Sequence, residues 1–412
     1  MSLTPQQIEI IKATVPVVQD HGTTITTTFY KNILFANPAL NNIFNQTNQK
    51  NGDQPRALAG ALAAYAANID NLSVLSDAVE RICQKHASLF IQPEHYPIVG
   101  KYLLEAMGEV LGAALTPQIL DAWTAAYGQL AKIMIDREAK LYEEAGEWNE
   151  WRDFKIAKKV EESSIITSFY LEPVNGKALP PFKPGQYISV QLFVPQLGYL
   201  QSRQYSLSDR PNDKYYRISV KREDALESPE LNTPIEEGLI SNTLHGTKTQ
   251  GDIVQVSPPK GEFFLDLDKS SDAPIILISA GVGVTPMVSI LNTLVERGSI
   301  RPISYIHSAR SKEIDAFHEH VQQIASSHSN VKPWVFIKNL PTDDYGHTVK
   351  DLAGRMDLSK VKDEALHLGD SSTTYFICGP GGFMTDVSKT LQGYGVSEER
   401  IKLEVFGTGD PK

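Results

Sequence analysis

The period at which apolar residues recur changes twice along this chain, and that change constrains the fold more than any single motif. Over roughly the first 145 residues the inward positions repeat at steps of three and four. Ile8, Ile11, Val15 and Val18 form one such row; Gln54, Leu58, Ala61, Leu62 and Tyr65 a second; Trp123, Tyr127, Leu130, Met134 and Leu141 a third. Such rows are single faces of helices. From about residue 150 the period drops to two: "QYISVQLFV" alternates Ile188, Val190, Leu192 and Val194, and "RISVKR" and "DIVQV" behave likewise. The turn signals "PVNG", "KPGQ" and "PPKG" separate these runs, as in a small antiparallel barrel. Past residue 270 the apolar runs "APIILISA", "PISYIH", "WVFI" and "TYFICG" alternate with helical stretches, the pattern of a parallel sheet covered on both faces. A chain of 412 residues exceeds one ordinary core. The expected organisation is therefore multidomain: an all-α domain over 1–146, an antiparallel β-barrel over 150–266 and a parallel-sheet α/β domain over 270–412.

The net charge of −10 argues against a nucleic-acid or anionic-membrane surface. The longest apolar run, "PIILISAGVGV", is too short and glycine-rich for an integral membrane segment, and no basic, then apolar, leader opens the chain. Two distant cysteines, Cys83 and Cys378, exclude a disulfide framework or a structural zinc cluster and suit a reducing cytoplasm. The acidic balance fits a monomer that works on small molecules.

Local signals set several helix starts. Thr4, Pro5 and Gln7 form an N-cap, a first-turn proline and a capping-box partner; Thr116 and Pro117 open the last long helix; Asp53 is positioned to cap another. "TTITTTFY" (residues 23–30) is β-branched and helical only by context. "YEEAGEWNEWRDF" reads as a linker.

Several stretches carry chemistry. His86 falls in a row with Leu75, Val79, Ile82 and Leu89, where an imidazole is either a satisfied core histidine or a metal ligand. Glu138 interrupts an apolar stripe, so its carboxylate is directed either inward to a partner or outward to solvent. "ISAGVGVTPM" places Gly281, Val282, Gly283, Val284, Thr285 and Pro286 between a strand and a helix, as a phosphate cradle or a plain tight turn. "RQYSLS" sets Arg203, Gln204, Tyr205 and Ser206 at the end of a barrel strand near Tyr187, as a site for a pyrophosphate and a flavin ring or as an arginine and tyrosine on a solvated strand. Ser241 and Asn242 in "LISNTLHG" suit a phosphate. Cys378, Gly379 and Pro380 in "CGPGGFM" lie where a nicotinamide binds in parallel sheets. Ser308, Arg310 and Lys312 in "HSARSKE" follow the second α/β strand, either as solvated surface or as holders of a 2′-phosphate, in which case NADPH is accepted alongside NADH.

Taken in order, P-G-Q-Y, R-Q-Y-S-L, I-S-N, G-V-G-x-T-P-M and C-G-P-x-G-F-M resemble the ferredoxin–NAD(P)+ reductase superfamily, whose barrel binds FAD and whose α/β domain binds NAD(P)H. "FYKNILFANPAL", "NQKNGDQPRAL", "QKHASLFIQPEHYPIVGKYLL" and "DREAKLY" resemble globin motifs, and the pair resembles a flavohaemoglobin over essentially the whole chain. The resemblance implies His86 as proximal ligand of haem b iron, with Tyr96 and Glu138 as its partners. It implies Tyr30, Gln54, Leu58 and Phe44 around bound oxygen, and Lys85 and Glu404 as tuners of the haem and flavin potentials. Val405, Phe406, Gly407 and Thr408 would complete the FAD site.

The implied activity is an NAD(P)H-dependent nitric oxide dioxygenase. NADH or NADPH gives a hydride to FAD, FAD gives single electrons to haem, and oxygen held by ferrous haem converts nitric oxide to nitrate. A haem-based oxygen or redox sensor, or an NAD(P)H-driven haem or ferric reductase or oxidase, would use part of the same apparatus. Two features depart from the family pattern. The stretch around residues 223–237 is longer than usual before I-S-N and borders the expected pyrophosphate site, and Thr408 stands where proline is common.

Overall fold

The computed structural model describes residues 3–225, 236–267, 272–340 and 350–407. Seven helices come first: α1 (Pro5–Ala13), α2 (Val15–Ala36), α3 (Gln46–Lys50), α4 (Asp53–Ala67), α5 (Ser76–Ala87), α6 (His95–Leu111) and α7 (Pro117–Glu144). The capping box at Thr4 and Gln7 forms, as does the Thr116 cap on Ile119 N–H. Asp53 does not cap α4: Gly52 takes the N-cap position at φ +75°, and the Asp53 carboxylate pairs with Arg56 at 2.7 Å. The "TTITTTFY" stretch is helical throughout. Thr26 Oγ1 donates to the carbonyls of Gly22 and, at 2.8 Å, Pro55, and the same turns bury Ile25, Phe29, Tyr30 and Ile33. Packing outweighs weak helix propensity here. Gly22 brings α2 close to Ala59, leaving only 3.2 Å between an added Cβ and the Ala59 methyl. That contact turns Ala59, Leu62, Tyr65 and Ala66 inward and leaves Ala61 exposed, contrary to the expected row. The expected linker is packed: Trp148 is buried with Nε1 donating to Glu150 O, and Trp151 meets the Phe90 ring edge-on at 5.3 Å.

Six strands follow: β1 (Arg152–Glu161), β2 (Ile166–Pro173), β3 (Tyr187–Val194), β4 (Tyr199–Ser206), β5 (Tyr216–Lys221) and, after the short α8 (Leu239–Asn242), β6 (Ile253–Val256). Their order is β4-β3-β6-β1-β2-β5, with antiparallel pairing of β1 to β2 and β6 and of β2 to β5. A bridge between Leu207 and Ile218, with Ser208 N–H donating to Arg217 O at 2.8 Å, joins the two outer strands and closes the barrel.

The remaining elements are β7 (Ile275–Ala280), α9 (Val284–Glu296), β8 (Ile303–Ala309), α10 (His318–Ser327), β9 (Val331–Ile337), β10 (Lys350–Ala353), α11 (Lys362–Ala365), β11 (Thr374–Cys378), α12 (Gly381–Gly393) and β12 (Ile401–Glu404). The sheet order is β10-β9-β8-β7-β11-β12, all parallel. The chain leaves β7 towards β8 and returns on the other side at β11. Parallel sheets bind ligands at the strand C-termini beside such a reversal. The outer strands β10 and β12 are four residues each, too short to register as apolar runs in the sequence.

The chain divides into two compact units. One is Met1–Trp151 with Gln191–Arg203 and Lys260–Glu262; the other is Arg152–Val190, Gln204–Pro259 and Phe263–Lys412. Among the described residues no helix is long and apolar enough to cross a membrane.

Candidate functional site

In the helical unit, α5 presents His86 to α7. His86 Nδ1 lies 2.8 Å from Glu138 Oε1 and 3.2 Å from the Tyr96 hydroxyl, which donates to the same carboxylate oxygen at 2.6 Å. Glu138 is only 2% exposed, so its carboxylate is inward and paired. Burial and the adjacent carboxylate hold the Tyr96 proton in place. Carboxylate and phenol together fix His86 as the Nδ1–H tautomer, leaving the Nε2 lone pair outward. Nε2 makes no hydrogen bond among the described residues. The row expected to be buried, Leu75, Val79, Ile82, His86 and Leu89, is half-exposed, while Cys83, Gln84 and Ala87 face the core. A half-open apolar helix face carrying one oriented imidazole nitrogen is the donor set a haem requires.

A second cluster joins α2, α4 and the chain between them. Tyr30 is buried against Phe44, whose ring lies 5.5 Å away, edge-on. Burial keeps the phenol protonated far above its ordinary value, opposed weakly by a hydrogen bond from Gln54. Gln54 also accepts from Gln49 Nε2 at 2.9 Å, and Leu58 packs at the edge of the same core. Gln201 of β4 holds this wall. Its side chain donates to the carbonyls of Asn41 and Phe44 and accepts from Gln46 N–H at 3.0 Å. Gln201 is absent from the residues expected at this site, although a polar residue at an inward strand position is a signal of such a role. Lys85 is half-buried, and burial together with the Arg203 cation pushes its amine below the usual range.

A cavity of about 620 Å³ lies at the strand C-termini of the parallel sheet, walled on one side by Ile165, Ile166, Lys221 and Glu223 of the barrel. It is lined by Gly281, Val282 and Gly283 after β7, Ser308 and Arg310 at β8, Gly379 and Pro380 after β11, and Val405, Phe406 and Gly407 after β12. Gly281 has φ +55° with open space where a Cβ would sit, and a Cβ at Gly283 would collide with the Cys378 carbonyl. Both glycines are therefore required by the backbone. Val284, Thr285 and Pro286 are buried in the first turn of α9, with Thr285 Oγ1 donating to Val282 O at 3.0 Å; they support the turn from behind. The Cys378 thiol does not reach the cavity. It ends β11 inside the core, where burial and Glu404, its register partner on β12, push its pKa well up. Lys312 also lies elsewhere, 3.7 Å from Asp351. In its place Lys338 and Arg355 join Arg310 on the cavity wall. None of these three cations makes an ion pair or side-chain hydrogen bond among the described residues, and the one carboxylate on the lining, Glu223, is taken by Lys221 at 2.9 Å.

Of the residues expected around a flavin, Tyr187 opens β3, Gln204 donates to Ser189 Oγ at 3.1 Å, Tyr205 stands beside it on β4, and Ser206 ends β4. Ser206 Oγ is buried with no hydrogen-bond partner among the described residues. An unpaired buried hydroxyl costs about 1–3 kcal/mol, so this position suits the polar edge of a flavin ring. Arg203 Nη2 donates to Thr47 Oγ1 at 3.1 Å. Ser241 and Asn242 bond to the backbone of Glu223 and Gly238. Thr408 and residues 226–235 of the long stretch lie outside the described residues.

An oriented imidazole in a helical unit and a glycine-lined nucleotide cavity on a parallel sheet define an oxidoreductase built from a globin and a reductase. The Globin family model matches residues 27–134, and the Oxidoreductase NAD-binding domain model matches 277–389. The chain is 46% identical to the flavohemoprotein of Bordetella pertussis across 99% of both chains, and 46% identical to that of Deinococcus radiodurans across 98% and 97%. It superposes on the crystal structure of the Malassezia yamatoensis flavohemoglobin, which has bound FAD and heme, with a TM-score of 0.84 at 30% identity, covering 99% of this chain and all of the other. The chain belongs to the flavohemoprotein family.

Proposed function

We propose that this flavohemoprotein is an NAD(P)H-dependent nitric oxide dioxygenase that removes nitric oxide as nitrate, with haem in the region 1–146, FAD in 150–266 and the nucleotide in 270–412. The observation that carries the reading is the His86–Glu138–Tyr96 network. An imidazole that shares its Nδ1 proton with a buried carboxylate is a strong electron donor through Nε2. Strong donation favours oxygen chemistry over reversible storage. When bound, FAD turns a two-electron hydride into single electrons and the haem iron supplies the oxygen-activating centre. The chain's own residues do the rest. Tyr96 and Glu138 hold the imidazole orientation. Tyr30 keeps its proton and can donate it in a hydrogen bond to a ligand on the iron, with Phe44 and Leu58 excluding water. Ser206 and Tyr187 are placed to orient the flavin, and the Gly281–Gly283 turn lets the dinucleotide backbone approach.

Arg310, Lys338 and Arg355 support use of NADPH, since a 2′-phosphate recruits cations where a 2′-hydroxyl recruits a carboxylate. The acidic net charge and two buried free thiols support a monomer working in the cytoplasm.

The test is an aerobic assay of the purified holoprotein with NADPH and nitric oxide. Two nitrate ions should form per NADPH oxidised, with consumption lost when oxygen is removed. Oxidation of NADPH that nitric oxide does not accelerate, or release of superoxide in place of nitrate, would make the protein a reductase or oxidase.

A further inference from the structure

The helix that carries His86 is weakly held by burial. Of the twelve residues of α5 only Cys83, Gln84 and Ala87 are buried, and one of those is polar. Its other anchors are hydrogen bonds. Glu80 pairs with Arg137 of α7 side-on, accepting from Nε and Nη2 at 2.6 and 2.8 Å. His86 meets Glu138 of the same helix. Further anchors come from a tripeptide between β6 and β7, within the sequence "PPKG" and the glutamate after it, that belongs to the helical unit.

Each residue of the tripeptide makes a separate attachment. Gly261 N–H donates to Gln84 Oε1 at 2.9 Å, and the other end of that amide donates to Glu80 Oε1 at 2.8 Å. Arg81 Nε donates to Glu262 Oε1 at 3.1 Å. Lys260, only 4% exposed, donates from Nζ to Leu141 O at 2.6 Å. Leu141 lies in the last turn of α7, where the Ala145 amide bonds Tyr142 O and Glu143 O instead. The carbonyl is thus one of those a helix end leaves over, at the negative pole of the helix. The tripeptide grips α5 at Arg81 and Gln84, one turn apart, and α7 one turn from Glu138.

We propose that Lys260, Gly261 and Glu262, acting through Gln84 and Arg81, are positioning residues for the iron-binding histidine: they hold α5 on α7 at the separation where His86 Nδ1 reaches Glu138. The proposal rests on the reading of His86 as the haem ligand. Loss of the strap lets α5 shift, lengthens the His86–Glu138 hydrogen bond and weakens the imidazole as a donor. A weaker donor stabilises Fe(III) less, so the haem becomes easier to reduce.

The experiment uses full-length holoprotein with Lys260→Met, Gln84→Leu and Arg81→Gln, and with Glu138→Gln as reference. Readouts are the iron–histidine stretching band of the ferrous form, the haem reduction equilibrium and the thermal midpoint. Lys260→Met and Gln84→Leu should retain haem, move the stretch to lower frequency in the direction of Glu138→Gln, and raise the Fe(II)/Fe(III) ratio at fixed potential about 3-fold, less than Glu138→Gln does. Gln84→Glu, which keeps an acceptor for Gly261 N–H, should move the band less than Gln84→Leu. A lower thermal midpoint with unchanged band and ratio overturns the proposal and leaves the strap as plain scaffolding. If Lys260→Met or Gln84→Leu fails to fold, Arg81→Gln at the solvent-exposed rim decides by the same criterion. No shift in Glu138→Gln itself would overturn the underlying reading of His86, separately from the strap.

Discussion

The proximal network and the nucleotide cavity treat polar groups in opposite ways. Around His86 the polar side chains are satisfied in advance: Glu138 receives two donors, Gln84 uses both ends of its amide, and Glu80 is held by two nitrogens of Arg137. On the cavity wall Arg310, Lys338 and Arg355 stand exposed with no acidic partner among the described residues. A permanent prosthetic group gains from a ligand whose geometry is fixed beforehand, because reorganisation is not repeated at each turnover. A nucleotide that arrives and departs every cycle gains from unpaired charge, which attracts it from solution without a pre-existing ion pair to break.

If the two regions differ in this way, perturbing them should have different signatures. The largest effect is expected from Glu138→Gln, which keeps the shape but removes the carboxylate: nitric oxide consumption should fall about 10–100-fold with haem content retained, measured at saturating NADPH. Replacing Arg310, Lys338 and Arg355 by glutamine together should lower kcat/KM for NADPH roughly 10–100-fold, at about one charge-assisted hydrogen bond or two. The NADH value should stay within about 3-fold; an equal loss with both nucleotides would mean the cations do not read the 2′-phosphate. The smallest effect concerns pH. Burial pushes Lys260 down to about 8, below its ordinary 10.5. The unfolded chain then holds that proton more tightly than the native one, so the cost of burying the cation is carried in full below pH 8 and relieved as pH rises towards 10.5. Urea unfolding at pH 7.5 and pH 10 should show wild type gaining stability relative to Lys260→Met by on the order of 1–3 kcal/mol. A pH-independent difference would place the lysine in a wetter setting.

The parts legible in the sequence are those set by short-range pattern. The two changes of period match the three kinds of architecture, and Thr4, Gln7 and Thr116 cap as their spacing indicates. The Gly281–Gly283 turn followed its strand as expected because both neighbours are fixed by local hydrophobicity. What escaped was set by rotation and by distance along the chain. Ala61 faced outward because Gly22 and Ala59 choose how α4 turns. Lys312 was expected at the cavity for its place after β8, yet it faces Asp351 on β10, a strand too short to notice. Lys338 and Arg355 each follow a strand end, but only the sheet order brings those ends together. The Cys378 thiol sat at the right strand terminus with the side chain on the buried face. Gln201, Lys260 and Gly261 reach partners more than a hundred residues away, which no local pattern encodes.

That reach bears on the order in which the protein can be made. The helical unit is discontinuous: besides Met1–Trp151 it needs Gln191–Arg203 for the Phe44 wall and Lys260–Glu262 for the His86 helix. During synthesis the first seven helices emerge well before either insert. At 5–20 residues per second the nascent helices wait roughly 5–20 s for the last of them. Until then the Gln84 acceptor and the Leu141 carbonyl have only water to bind, and the proximal helix is free to fray. If His86 is the ligand proposed above, haem captured in that interval would meet a looser ligand than haem captured afterwards, so the primary structure itself delays the moment at which the haem centre becomes fully formed.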